Sequence, residues 1–202
     1  MLQSLESRRM LSVTLEAGVL TVTGTENADQ LGVGRNMTMI VVSDNGTTSE
    51  WDPALVESIV INALGGNDQV AVVRPIAKPI TANGGAGDDS LRGSAGRERL
   101  NGDAGADRLF GGGGGDLLDG GGDNDVIVGG AGPDRMLGGD GNDRFDAVDR
   151  DHDLLDGGAG EDWARVNHGD RANNIEHVLV GPPRPTSATL DDKADEIVTQ
   201  TE

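Results

Sequence analysis

The 202-residue sequence contains no cysteine and no tyrosine, and it has only two tryptophans and two phenylalanines. Without cysteine the chain has neither a disulfide framework nor a thiolate metal site of the zinc-finger kind. Basic residues are also scarce, since 16 Lys and Arg stand against 35 Asp and Glu, a formal net charge of −19. Because so acidic a chain repels phosphate groups, these absences exclude nucleic-acid binding and binding to anionic membranes.

Long apolar runs are missing as well. No stretch reaches the length of a membrane span or of the apolar region of a signal peptide, so the sequence predicts no transmembrane segment. With so few aromatic side chains to supply volume, the chain is either largely disordered or built around a thin core. Its 33 glycines do not indicate collagen, because they cluster and only 7 prolines accompany them.

A repeat decides between disorder and a thin core. Residues 84–165 hold 24 of the 33 glycines and 19 of the 35 acidic residues. The stretch divides into nine units of nine residues, apart from one inserted residue in the eighth unit. The units begin at Gly84, Gly93, Gly102, Gly111, Gly120, Gly129, Gly138, Ala147 and Gly157. Such regularity predicts a stacked repeat structure and excludes simple low complexity.

Three positions of the unit carry the pattern. The first is Gly in eight of nine units, the sixth is acidic in all nine, and the eighth is apolar in all nine. We expect positions one to six to form a glycine-rich turn and positions seven to nine a short strand whose eighth residue faces a narrow core. Two turns and two strands then make one coil of about 18 residues. The predicted fold is all-β, a right-handed parallel β-roll or β-solenoid.

Stacked turns bring carboxylates together, which is unfavourable unless a cation lies between them. Backbone carbonyls and aspartate supply only oxygen, and calcium accepts 6–8 oxygen ligands in irregular geometry. We therefore predict roughly four to seven calcium ions between stacked turns. The predicted ligands are the carboxylates of Asp89, Asp107, Asp116, Asp125, Asp134, Asp143, Asp153 and Asp162, with the turn backbone of Gly84, Gly102, Gly111, Gly120, Gly129, Gly138 and Gly157.

Register sorts the acidic positions into two columns, because alternate units lie on the same side. One column contains residues 89, 107, 125, 143 and 162, and the other contains residues 98, 116, 134 and 153. Glu98 is one methylene longer than Asp, and its unit GSAGRERLN lacks the second Gly, so the pattern supports an ion between this turn and the Asp116 turn less strongly than elsewhere. The insertion near Asp153 weakens a second site. Asp149, Asp151 and Asp153 have the spacing of an EF-hand loop, but Leu154 stands where that loop needs Gly.

The units GGAGDDSLR, GGAGPDRML and GGDGNDRFD resemble the hemolysin-type, or RTX, calcium-binding nonapeptide G-G-x-G-x-D-x-U-x. The resemblance implies a parallel β-roll that folds on binding calcium outside the cell, after export by a type I secretion system. The segment LESRRMLS, from Leu5 to Ser12, is similar to the L-E-P-R-x-L-L leader of exported bacterial proteins. Residues 1–11 are therefore predicted to be a leader.

Outside the repeats, residues 12–83 alternate between short strands and turns, with strands expected at 13–15, 19–22, 37–42, 58–62 and 70–73. Asp29 and Asp68 fall at the sixth position of two decayed units. The segment is either a continuation of the solenoid or a separate small β-sandwich or hairpin pair. Residues 166–180 are predicted to cap the last coil, and residues 181–202 to be a disordered acidic tail that is either an export signal or a frayed end.

The predicted function is calcium binding by an extracellular, non-catalytic module with a structural or secretion-associated role. The three histidines lie in no H-E-x-x-H and no serine lies in G-x-S-x-G, so no enzyme is indicated. The alternatives are a surface adhesion or matrix protein, and the export module of a hydrolase. We expect a secreted or cell-surface monomer whose partner is calcium, with any surface or matrix partner unidentified.

Overall fold

The computed structural model describes residues 12–181, so the predicted leader and residues 182–202 of the predicted tail lie outside the described residues. All regular secondary-structure elements in residues 12–181 are β-strands. The strands are β1 Ser12–Glu16, β2 Val19–Thr23, β3 Gln30–Arg35, β4 Ile40–Asp44, β5 Thr47–Trp51, β6 Ser58–Gly65, β7 Gln69–Val72, β8 Ile80–Ala86, β9 Ser90–Arg92, β10 Glu98–Ala104, β11 Arg108–Gly113, β12 Leu117–Gly122, β13 Val126–Ala131, β14 Arg135–Asp140, β15 Arg144–Asp146, β16 Leu154–Ala159, β17 Trp163–Val166, β18 Arg171–Asn173 and β19 His177–Val180.

These strands form two sheets that lie on opposite sides of the core. One has nine strands in the order β1-β2-β6-β8-β10-β12-β14-β16-β18, and the other has ten in the order β19-β17-β15-β13-β11-β9-β7-β3-β4-β5. From β6 onward the chain alternates between the sheets, and from β8 onward each new strand pairs in parallel with the strand two places earlier. The prediction of an all-β parallel solenoid is confirmed for the described residues.

The register in the repeats is the one that the period requires. Leu109 pairs with Ile127 and Ile127 with Phe145, each 18 residues further on. Across the insertion, Met136 pairs with Leu155 instead, 19 residues on, so the extra residue is absorbed in the turn and the strands keep their alignment. The eighth-position side chains between Leu91 and Ala164 consequently form two buried rows, one on each sheet, that face each other across the core.

The strands in the repeats are longer than the sequence analysis predicts, so the assignment of positions one to six to a turn is wrong. Most run over six residues, from the seventh position of one unit to the third of the next, as in β13. The first-position glycine therefore lies inside a strand and is buried, as at Gly129. The reason is the alternation of the strand, which turns the eighth and the first positions inward together.

Residues 12–83 belong to the same two sheets. β6 and β7 pair in parallel with β8 and β9, and β2 pairs in parallel with β6. Strands β3, β5 and β8 were not among the predicted strands. The strand predicted from residue 37 begins at Ile40, because Met37 is exposed in the preceding turn. Three antiparallel pairings, β1 with β2, β3 with β4 and β4 with β5, close this end of the solenoid.

The other end finishes on two short parallel strands, β18 and β19, one on each sheet. The inward positions of β19 are Val178 and Val180, which pair with buried Ala164 and Val166 but are themselves 41% and 58% exposed. On the outer face of the same sheet, the ring of His177 stacks on Trp163 with 3.9 Å between ring centroids. In the part of the chain that the structure describes, the last coil is thus only partly covered.

Candidate calcium sites

All eight aspartates predicted to bind calcium are buried, each exposing 3% or less of its surface. They lie in the two columns that the register predicts, one on each edge of the solenoid, where the chain turns from one sheet to the other. Within a column, one carboxylate oxygen of each residue accepts a hydrogen bond from the backbone N–H of the acidic residue one coil earlier. The N–H of Asp107, for example, donates to Asp125 Oδ1 at 2.8 Å, and the N–H of Asp125 donates to Asp143 Oδ1 at 2.9 Å.

The second oxygen of each of these carboxylates has no hydrogen-bond partner. The unpartnered, buried Oδ2 atoms belong to Asp89, Asp107, Asp116, Asp125, Asp134, Asp143, Asp153 and Asp162, and Asp68 provides one more. A buried polar atom without a partner is costly, and a row of them demands an explanation. A bound cation explains them, since Oδ2 is the atom left free to coordinate it.

The first-position glycines make room for these oxygens. A Cβ on Gly120 would collide with Asp125 Oδ2 and would lie 2.7 Å from the carbonyl oxygen of Gly138 in the next coil. The same arrangement recurs at Gly84, Gly102 and Gly138. A carboxylate oxygen and a carbonyl oxygen therefore face the same small space, which only a residue without a side chain leaves open. This all-oxygen donor set fits a hard cation such as calcium.

Each turn contributes only one sixth-position carboxylate. In residues 12–181, no group of three or more His, Asp or Glu side chains is placed to hold a metal ion by itself. Neighbouring carboxylates of a column are instead one strand spacing apart, about 4.8 Å. Backbone carbonyl oxygens would have to complete the coordination, as the glycine-rich turns allow.

Burial also changes the protonation of the columns. It raises the pKa of Asp107, Asp116 and Asp125 from 3.8 to about 7, against the lowering effect of the backbone N–H that each accepts. Neighbouring carboxylates of the column raise it further. The same causes raise the pKa of Asp153 to about 7 and that of Asp143 to about 6. Without a cation, the columns thus hold protons more tightly than free aspartates do.

This protonation predicts how metal-free stability depends on pH. The folded columns bind more protons than the unfolded chain, so the free energy of unfolding should fall as pH rises from about 4 to about 7. In calcium-free buffer the repeat block should therefore retain more β structure at pH 5 than at pH 7.5, as measured by circular dichroism. The difference should persist in 0.5 M NaCl, which screens exposed charges only. Metal-free stability that rises with pH would contradict the account.

The inserted unit uses its extra carboxylates differently from an EF-hand. Asp149 and Asp151 both accept a hydrogen bond from the N–H of Gly132, Asp151 at 2.9 Å. In regular turns the N–H of the fourth-position glycine donates to a backbone carbonyl, as Gly114 does to Ala131 at 2.7 Å. The two side chains therefore replace a carbonyl that the insertion has displaced. Asp153 keeps its place in the column.

The columns extend beyond the residues that the sequence analysis selects. Asp68 accepts from the N–H of Asp29 and donates its own N–H to Asp89, which places both decayed units in the first column. At the other end, Glu176 accepts from the N–H of Asp162, and Asp170 from that of Asp153. The repeat pattern does not identify Asp170 and Glu176, because they follow Asp153 and Asp162 at 17 and 14 residues, outside the repeat spacing.

The fold and the columns define a calcium-binding β-roll, and comparison with known proteins supports this class. The family model described as "RTX calcium-binding nonapeptide repeat (4 copies)" matches the chain over residues 83–118, 92–127 and 119–147. Residues 83–147 are therefore RTX repeats, which confirms the family predicted from the sequence and makes this part of the chain a structural module that binds calcium. A comparison with curated proteins gave no match. No helix in residues 12–181 could span a membrane.

Proposed function

We propose that this chain is a non-catalytic, extracellular calcium-binding module whose repeat block, residues 84–165, folds when calcium binds. The single observation that supports the proposal best is the row of buried, unpartnered Oδ2 atoms, one at each of the eight predicted aspartates. Ionised carboxylates at these positions would face one another in a water-poor environment, and calcium supplies the positive charge that offsets their repulsion.

The proposed ligands are the Oδ2 atoms of these aspartates together with carbonyl oxygens of the glycine-rich turns. A count of roughly four to seven ions follows if each ion lies between two stacked turns of one column. Sites of this kind in extracellular modules have affinities of about 10⁻⁴ to 10⁻³ M. The repeats would then remain metal-free at the low calcium level inside a cell and fill after export.

Coupled folding follows from the same geometry. Each site needs two turns that are already stacked, so the unfolded chain contains no preformed site and the binding free energy adds to the free energy of folding. Because neighbouring sites of a column share a turn, calcium binding at one site also orders one of the two turns that form the next site. We therefore expect calcium binding to be cooperative along each column.

Replacing Asp125 with Asn tests the assignment of the ligands. Asn keeps an oxygen to accept the N–H of Asp107, but it removes the charge that the site offers to calcium. In calorimetric titration of the full chain, D125N should weaken calcium binding about tenfold or more and lower its cooperativity, since ligand charge sets the affinity of such sites. The matched control is D140N, because Asp140 is an exposed third-position residue of a neighbouring turn.

D140N removes the same charge from the same block without touching a column, so its titration should match that of the wild type. If D125N and D140N weaken calcium binding equally, the effect belongs to the net charge of the block, and the assignment of Asp125 as a ligand is wrong.

A further inference from the structure

Two turns of the solenoid satisfy their carboxylates without any ion. In the turn that contains Asp29, Thr25 donates both its N–H, at 2.7 Å, and its hydroxyl, at 3.0 Å, to Asp29 Oδ2. Asn45 donates to the other oxygen at 2.8 Å. In the turn that contains Glu98, Ser94 donates its N–H to Oε2 at 3.0 Å and its hydroxyl to Oε1 at 3.1 Å.

The two turns are alike in sequence position. Thr25 and Ser94 both occupy the second position of their unit, four residues before the carboxylate. Neither Asp29 nor Glu98 has an unpartnered buried oxygen, whereas all eight predicted calcium ligands do. Both acidic residues are nevertheless as buried as the others, at 4% and 3% exposure.

The backbone of these two turns differs from that of the eight regular turns. The second-position residue has a positive φ in eight units of the described chain, namely at Leu64, Gly85, Asp103, Gly112, Gly121, Gly130, Gly139 and Gly158. Thr25 and Ser94 lack it, and so does Val148 in the inserted unit. In these two turns the second-position N–H instead points at the carboxylate. A cation could not approach the carboxylate from the side where this N–H and the hydroxyl already donate.

Each of the two turns also lies at the N-terminal end of a column. Asp29 is the first acidic member of one column in residues 12–181, and Glu98 is the first of the other. Each donates its own N–H to the next member, Asp68 at 2.7 Å and Asp116 at 2.8 Å, and so connects to the column by the same hydrogen bond as every other turn. The N-terminal end of each column thus begins with a carboxylate that hydrogen bonds from the chain already hold.

We infer that Thr25 and Ser94 take the place of a calcium ion, so that the turns 24–29 and 93–98 hold no ion and close the N-terminal end of each column by hydrogen bonds alone. The inference rests on the proposed function, because it assumes that the remaining turns bind calcium. These two turns then need no calcium to satisfy their carboxylates, and they present the first turn of each column to the repeats that follow.

Counting bound ions by native mass spectrometry of the full chain tests the inference. The double variant S94G/E98D restores glycine at the second position and aspartate at the sixth, and it should bind one more calcium ion than the wild type. The variant S94A, which removes only the hydroxyl, should gain none. E161D is the matched control, since it shortens an exposed fifth-position Glu of another turn, and it should also leave the count unchanged.

A folded S94G/E98D variant with the wild-type ion count would overturn the inference. If that variant does not fold, E98Q decides: an unchanged ion count and affinity support the inference, and loss of one ion refutes it. Failure of the proposed function looks different, because the wild type itself would then bind no calcium. A wild type that binds several ions, together with an E98Q variant that loses one, would retain the proposed function and reject only the role of Ser94.

Discussion

Removing calcium from the full chain at pH 7.5 is expected to unfold the repeat block while leaving much of residues 12–83 ordered. The repeats bury one aliphatic side chain per strand, as at Leu109 and Leu118, and they carry eight aspartates with unpartnered buried oxygens. The N-terminal coils have a denser aliphatic core that includes Leu20, Ile59 and Ile61, with one unpartnered column oxygen, that of Asp68. Far-ultraviolet circular dichroism should therefore lose a large part of its β signal in chelator.

Hydrogen exchange measured peptide by peptide locates the change. In chelator, peptides from residues 102–165 should exchange quickly, and millimolar calcium should restore their protection. Magnesium at the same concentration should restore little, since it requires octahedral geometry and gives up its water reluctantly. A β signal that is complete in chelator, with a melting temperature that calcium does not change, would show that the block folds without the ion.

Replacing Gly120 with Ala is expected to destabilise the roll strongly. The added methyl group would collide with Asp125 Oδ2 and press on the carbonyl oxygen of Gly138. Overpacking of this kind costs about 1–3 kcal/mol in stability. It would also push the carboxylate out of the place where it faces the carbonyl, so the calcium affinity of the site should fall together with the stability.

Gly122 offers a control two residues away in the same strand, β12. A Cβ there would have the carbonyl oxygen of Asp103 as its nearest neighbour, at 3.9 Å, and Gly122 does not have a positive φ. Alanine at this position should be neutral or should stabilise by about 0.4–1 kcal/mol, because it restricts the unfolded chain. Urea unfolding in calcium measures both variants. Equal effects of G120A and G122A would mean that the first-position glycine has no special role.

Much of this architecture is encoded in the period of the sequence. A nine-residue unit with an acidic sixth position and an apolar eighth position fixes which residues stack, because each coil contains two units. The two buried rows of eighth-position side chains and the two columns of aspartates follow directly from that register. Even the insertion in the eighth unit leaves the alignment of Leu155 with Met136 intact, since a turn can absorb one residue more easily than a paired strand.

Other features could not be predicted from the sequence and became visible only in the structure. A period cannot show that a glycine lies within a strand, so the extension of the strands through the first position was missed. The roles of Asp170 and Glu176 depend on the path of the chain after Val166, where the spacing is no longer regular. The hydrogen bonds of Thr25 and Ser94 depend on the backbone conformation at the second position. Strands β3 and β5 were missed because their glycines and exposed polar residues hide the alternation.

The central claim is that calcium is held by the buried Oδ2 atoms of the two columns. Anomalous diffraction at a wavelength sensitive to calcium, from crystals grown in calcium, tests this most directly. The account predicts ions within about 2.3–2.6 Å of the Oδ2 atoms of residues such as Asp107 and Asp125, with no ion at Asp29 or Glu98. Ions found only at exposed carboxylates, such as those of Asp88 and Asp140, would contradict it.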